Sequence, residues 1–125
     1  MFAATLQVAI GGALGAACRF LLGTAILRVW GGAFPVAVMT ANILGSFLMG
    51  LFLVWSYQRG HEGWNLFVMT GVLGGFTTFS AFSVEAFTLF ERGQPGLAAV
   101  YVGASVTLAI LGLAAGVFLA RGLWA

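Results

Sequence analysis

The stretch GGFTTFSAFS, residues 74–83, sets two adjacent glycines, four hydroxyl side chains and three phenylalanines inside a long apolar run. Polar groups are costly at membrane depth, and those retained there mark ligand or ion pathways. Hydroxyls donate hydrogen bonds, and a phenylalanine ring carries the positive side of its quadrupole at its edge. Phe79 and Phe82 fall at i and i+3, on one helical face, with Ser83 and Glu85 close by in projection. The two rings, the side-chain amide of Asn42 and the hydroxyls of Thr78 and Ser83 can together replace the water around a small anion without a fixed charge that would trap it. Contact with lipid or core, the plain use of phenylalanine in a membrane helix, leaves the surrounding glycines and hydroxyls without a purpose.

The elements that must position these groups follow from the same residues. Gly71, Gly74 and Gly75 lie close together, and each lowers local helix stability by up to about 1 kcal/mol relative to alanine. A break in the helix is expected there. Unwound backbone at membrane depth persists only inside protein or against a water-filled cavity, where its freed carbonyls suit a cation such as Na⁺. Restart of the helix at Thr77, Thr78 or Ser80 uses natural N-cap residues and aims a positive helix end into the membrane centre.

Composition makes the whole chain a membrane protein: 62% of residues are hydrophobic, 6% are charged, and mean hydropathy is +1.09. A soluble domain carries roughly 25% charged residues. Four apolar segments, roughly 3–28, 34–56, 65–90 and 96–121, each reach the ~20 residues that span a bilayer core. They fill one all-α domain over residues 1–125. Trp30, Trp55, Tyr57, Trp64 and Trp124 sit near segment ends, where amphipathic rings settle at headgroup level. The start MFAATLQVAIGG has no basic region ahead of its apolar run, so the first segment is expected to stay in the membrane.

Five arginines and no lysine leave no basic patch for nucleic acid. By side, Arg59 and Arg121 stand against Arg28 and Arg92, so the charge asymmetry that orients membrane proteins is absent. Either another feature fixes the topology, or the chain inserts both ways and assembles as an antiparallel pair. Close helix contact is expected along Gly11, Gly15, Arg19 and Gly23 in the first segment and Asn42, Gly45, Ser46, Met49 and Gly50 in the second. Each stripe contains a polar residue, Arg19 or Asn42, with a ligand role or a structural one open to it. Cys18, the single cysteine, reads as a small packing residue.

Three strings, GGALGAACRF, NILGSFLMG and GVLGGFTTFSAFSVE, resemble the CrcB/Fluc family of fluoride channels, across the whole four-helix layout. The third string is the most specific. The resemblance implies an antiparallel dual-topology homodimer in a bacterial-type plasma membrane, with two pores for passive, selective F⁻ export and hence fluoride resistance. It implies that the amide of Asn42 and the ring edges of Phe79 and Phe82 contact the ion, and that Tyr101 and Ser105 extend a polar track. It also implies a central structural Na⁺ held by backbone carbonyls of Gly74 and Thr77, and a place for Arg19 in the aqueous vestibule. The chain departs from the family pattern at Ala37 and Val38, where a Gly-Thr pair is common, and at Ala109, where a further serine can extend the track. Glu85 is expected to be protonated, paired, or part of the ion route.

Other classes fit less well. A four-helix drug exporter needs a carboxylate in its first helix, which has Arg19 and no acid. A non-catalytic membrane subunit would use the glycine stripes and leave residues 74–83 without a reason. An enzyme is not expected: His61 has only Glu62 beside it in a loop, and no nucleophile and base pair is evident.

Overall fold

The computed structural model describes residues 1–32 and 34–124; Ala33, within the expected first connector, and Ala125 lie outside them. Among the described residues the regular structure is entirely helical. Helix α1 runs Phe2–Val29 and α2 runs Val36–Gln58. The third span, Glu62–Glu91, is composite. A 3₁₀ turn, Glu62–Trp64, leads into a π-helical segment, Leu66–Leu73, then a short α-helical turn, α3, Gly74–Phe76. After a break comes α4, Phe79–Glu91, and the chain closes with α5, Pro95–Trp124. All four spans are long and apolar enough to cross a membrane. Pro95 opens α5, where its missing N–H costs nothing. Gly31, Gly60 and Gly93 take positive φ in the three connectors, the conformation that lets each chain reversal follow directly on a helix end.

The spans pair in two parallel couples, α1 with the first half of the third span and α2 with α5. A Cβ on Gly11 would come 2.5 Å from the Phe67 carbonyl oxygen, and one on Gly15 would collide with the Val72 carbonyl. From the other side, a Cβ on Gly75 would come 2.5 Å from the Gly12 carbonyl oxygen. Backbone thus meets backbone along the α1 stripe, which gives dispersion contact without a hydrophobic drive in lipid. Gly50 and Gly116 do the same for α2 and α5, against the carbonyls of Leu113 and Phe47.

The helix restarts on Thr78 as its N-cap, as expected, but the break differs from its expected form on the glycine side. Gly74 keeps helical angles, φ −63° and ψ −38°, and the extended residues are Thr77 and Thr78, with ψ 158° and 120°. The glycines serve packing; the interruption lies just beyond them, where two β-branched hydroxyl residues favour extended backbone. The π-helical segment before it carries no signal in the apolar pattern. Cys18 also departs from expectation, being exposed rather than packed within the chain.

Candidate functional site

Four side-chain contacts hold the break open, and three of them can be traced to a displaced helical hydrogen bond. The Thr78 N–H, which a continuous helix would give to the Gly74 carbonyl, donates to Asn42 Oδ1 at 2.7 Å. Asn42 Nδ2 donates in turn to the Thr78 carbonyl at 3.0 Å, so the amide clamps one extended residue at both polar groups. The Gly75 carbonyl, whose helical donor would be the Phe79 N–H, accepts from Arg19 Nε at 3.2 Å. Thr78 caps α4, its Oγ1 accepting from the Ala81 N–H at 3.1 Å. That bond takes away the donor the Thr77 carbonyl would have had. Two backbone oxygens, Gly74 O and Thr77 O, are therefore left without their helical donors at the centre of a membrane span. The chemistry of this donor set suits a hard monovalent cation, which takes neutral carbonyl oxygens. The described residues contain no cluster of three His, Cys, Asp or Glu side chains that would hold a metal instead.

Beside the break lies a cleft of about 360 Å³ between α2, α4 and α5. Asn42, Ser46, Met49, Thr78, Phe79, Phe82 and Ser105 line it, with Ala109 presenting a methyl where a longer polar track would continue. Phe82 is 8% exposed and Phe79 is 78% exposed, although their centroids are only 5.5 Å apart. Phe82 lies 5.4 Å from the fully buried ring of Tyr101, which meets Phe34 edge to face at 5.6 Å. The Tyr101 Oη and Ser105 Oγ atoms are buried one turn apart, within reach of each other and with no other hydrogen-bond partner among the described residues. One bond between the two hydroxyls still leaves a donor hydrogen and acceptor lone pairs that a ligand or water can take.

Phe34 opens onto a second cleft, also about 360 Å³, whose lining includes Arg19, Thr24, Trp30, Ala37, Val38 and Glu85. Glu85 thus shares a cavity with Arg19, apart from the Asn42 cleft. The file Phe79, Phe82, Tyr101, Phe34 links the two clefts through successive ring contacts. Ser83 lines neither cleft; its Oγ donates back to the Phe79 carbonyl at 3.0 Å on the exposed side of α4. His61 is exposed and stacks on Trp55, centroids 4.6 Å apart.

Sequence reasoning placed Asn42, Thr78, Phe79, Phe82, Tyr101 and Ser105 in one region, and the structure brings them together around the broken helix. It did not reach Phe34, a connector residue that only tertiary packing carries to Tyr101. Nor did it reach the bond from Arg19 to Gly75, which spans 56 positions.

The fold and the site define a small polytopic membrane protein with a hydroxyl- and aromatic-lined cleft beside a broken third span. Residues 6–117 match the family described as CrcB-like protein, Camphor Resistance (CrcB). A protein of Roseobacter denitrificans named Fluoride-specific ion channel FluC is 57% identical over 119 residues, 94% of each chain. The like-named protein of Cereibacter sphaeroides is 55% identical over 122 residues, 98% of each chain. That of Caulobacter vibrioides is 44% identical over 123 residues, 96% of this chain and 97% of the other. The chain belongs to the CrcB family. It is a multi-pass integral protein of the bacterial plasma membrane, and not an enzyme.

Proposed function

We infer that the chain forms a fluoride-selective channel that lets F⁻ leave the cell passively and so confers fluoride resistance. The observation that carries this reading is the pair of buried hydroxyls on Tyr101 and Ser105, with no partner but each other, set against the Phe82 ring beside the broken helix. Fluoride is small and strongly hydrated, so a path for it must offer many weak donors in succession. The hydroxyls of Tyr101 and Ser105, the second hydrogen on Asn42 Nδ2 and the ring edges of Phe79 and Phe82 form such a series. The first N–H groups of α4 add the positive end of a helix dipole. None of these carries a full charge, which keeps release as easy as entry. The Arg19 guanidinium in the second cleft raises the local anion concentration at one mouth.

The working unit in this reading is an antiparallel, dual-topology homodimer with two pores. The balanced arginines, Arg59 and Arg121 against Arg28 and Arg92, favour insertion in both directions. The 78% exposure of Phe79 beside its buried partner favours a second chain completing the path there. A central Na⁺ would be held by Gly74 O and Thr77 O, the two oxygens stripped of helical donors, from each subunit. Bound there, it would supply positive charge that holds the facing broken helices together. Asn42 and the Thr78 hydroxyl take the N–H groups that would otherwise bond those oxygens.

Efflux from liposomes containing purified protein tests the function directly. With valinomycin clamping charge, a fluoride electrode should record rapid F⁻ release and a parallel chloride measurement should record none. Equal release of both ions, or of neither from folded protein, would reject the reading.

A further inference from the structure

Arg19 is doing something more specific than lending charge to a vestibule. Its Nε, the nitrogen inside the side chain rather than at its tip, donates to the Gly75 carbonyl at 3.2 Å. In an unbroken helix that carbonyl would accept from the Phe79 N–H, four residues on. The α1 stripe makes the contact possible. Gly11 and Gly15, with Gly75 opposite, bring the α1 backbone against the segment from Phe67 to Phe76. A helical side chain leans toward its own N-terminus, so Arg19, about two turns beyond Gly12, reaches back to the same glycine that Gly12 touches. The two terminal nitrogens of the guanidinium are left for the cleft shared with Glu85.

We propose that Arg19 is a positioning residue: its Nε–H occupies the Gly75 carbonyl, which keeps the Phe79 N–H out of a helical bond and fixes where α4, and with it the Phe79 ring, begins. The functional half of this inference rests on the channel reading; the conformational half stands without it. Asn42 acts from α2 on the neighbouring bond, Thr78 N–H to Gly74 O, so two helices each hold one displaced hydrogen bond. The break is imposed from outside by these two side chains rather than by the glycines, which remain helical.

Side-chain chemistry separates this role from an electrostatic one. Glutamine carries its amide nitrogen the same number of bonds from Cα as the arginine Nε, so Arg19→Gln keeps the donor and removes the charge. Arg19→Lys keeps the charge and puts a methylene where the donor was, and Arg19→Met keeps neither. Hydrogen–deuterium exchange on the purified protein in detergent reads the conformation. The Phe79 amide should exchange about tenfold more slowly in R19M and R19K, as it bonds to the vacated Gly75 carbonyl, and at near the wild-type rate in R19Q. Fluoride efflux should follow the donor, with R19Q exceeding both R19K and R19M by about tenfold. Efflux that follows charge, with R19K above R19Q and R19M alike, would overturn the positioning role in conduction. Equal Phe79 exchange in R19M and R19Q would overturn it in the fold. A wild-type protein without fluoride flux would reject the channel reading alone, because the exchange experiment decides the conformational role independently.

Discussion

Replacing Asn42 with alanine tests how the broken helix is maintained. The substitution removes two hydrogen bonds at once, the Thr78 N–H to Oδ1 bond of 2.7 Å and the Nδ2 to Thr78 carbonyl bond of 3.0 Å. Leaving a buried backbone group unpartnered costs about 1–3 kcal/mol. The Thr78 N–H can escape that cost by returning to the Gly74 carbonyl, its acceptor in a continuous helix. Thr78 must then give up its extended angles, φ −152° and ψ 120°. The open break therefore loses about 1–3 kcal/mol relative to a closed helix, roughly 5- to 150-fold in population. Closure takes the Gly74 oxygen out of the candidate cation site and turns Phe79 away from the cleft. Fluoride efflux from liposomes should fall at least tenfold in N42A, while size-exclusion elution stays that of the wild type. Efflux within threefold of wild type, from protein that elutes identically, would show that the amide does not hold the break.

Other outcomes follow from the same geometry. Phe82→Ile should abolish fluoride efflux and Phe79→Ile should slow it severely, both with the protein folded, since each removes an electropositive ring edge and keeps apolar bulk; wild-type efflux in both would refute the ring-edge role. Gly15→Ala should lower the melting temperature clearly, because its methyl meets the Val72 backbone, while Gly12→Ala, with open space at its Cβ, should leave it nearly unchanged. Equal melting of the two variants would contradict the packing of α1. Exchange of Na⁺ for N-methylglucamine should reduce efflux or dimer integrity if Gly74 O and Thr77 O hold a sodium ion, and indifference to the exchange would remove the ion from the account.

Much of the fold was legible because apolar length and a near absence of charge leave a chain few choices. The four spans, the short polar connectors and the interruption of the third span all follow from residue type. The restart at Thr78 followed from N-cap propensity, but the start of the interruption did not follow from helix propensity, which points to Gly71, Gly74 and Gly75. Tertiary context overrode it: those glycines lie against the α1 backbone, where helical geometry gives the closest approach. The extended residues are instead Thr77 and Thr78, whose backbone groups Asn42 and the Thr78 cap satisfy. The candidate site was legible where unusual residues cluster within one turn or two, as with Phe79 and Phe82. It was not legible where a connector or a distant helix supplies the contact. Phe34 and the Arg19 bond to Gly75 depend on how helices pack, and nothing local in either neighbourhood announces them. Glu85 lies near Phe82 in helical projection, yet packing turns it into the Arg19 cleft.

The central claim is a passive path selective for fluoride, and the most direct measurement is the reversal potential of currents in a planar bilayer. With unequal fluoride on the two sides, equal chloride and no pH gradient, the account predicts currents that reverse at the fluoride equilibrium potential. They should stay there when a proton or chloride gradient is added. Reversal that moves with the proton gradient would indicate coupled transport, and reversal that moves with chloride would mean the cleft does not select fluoride.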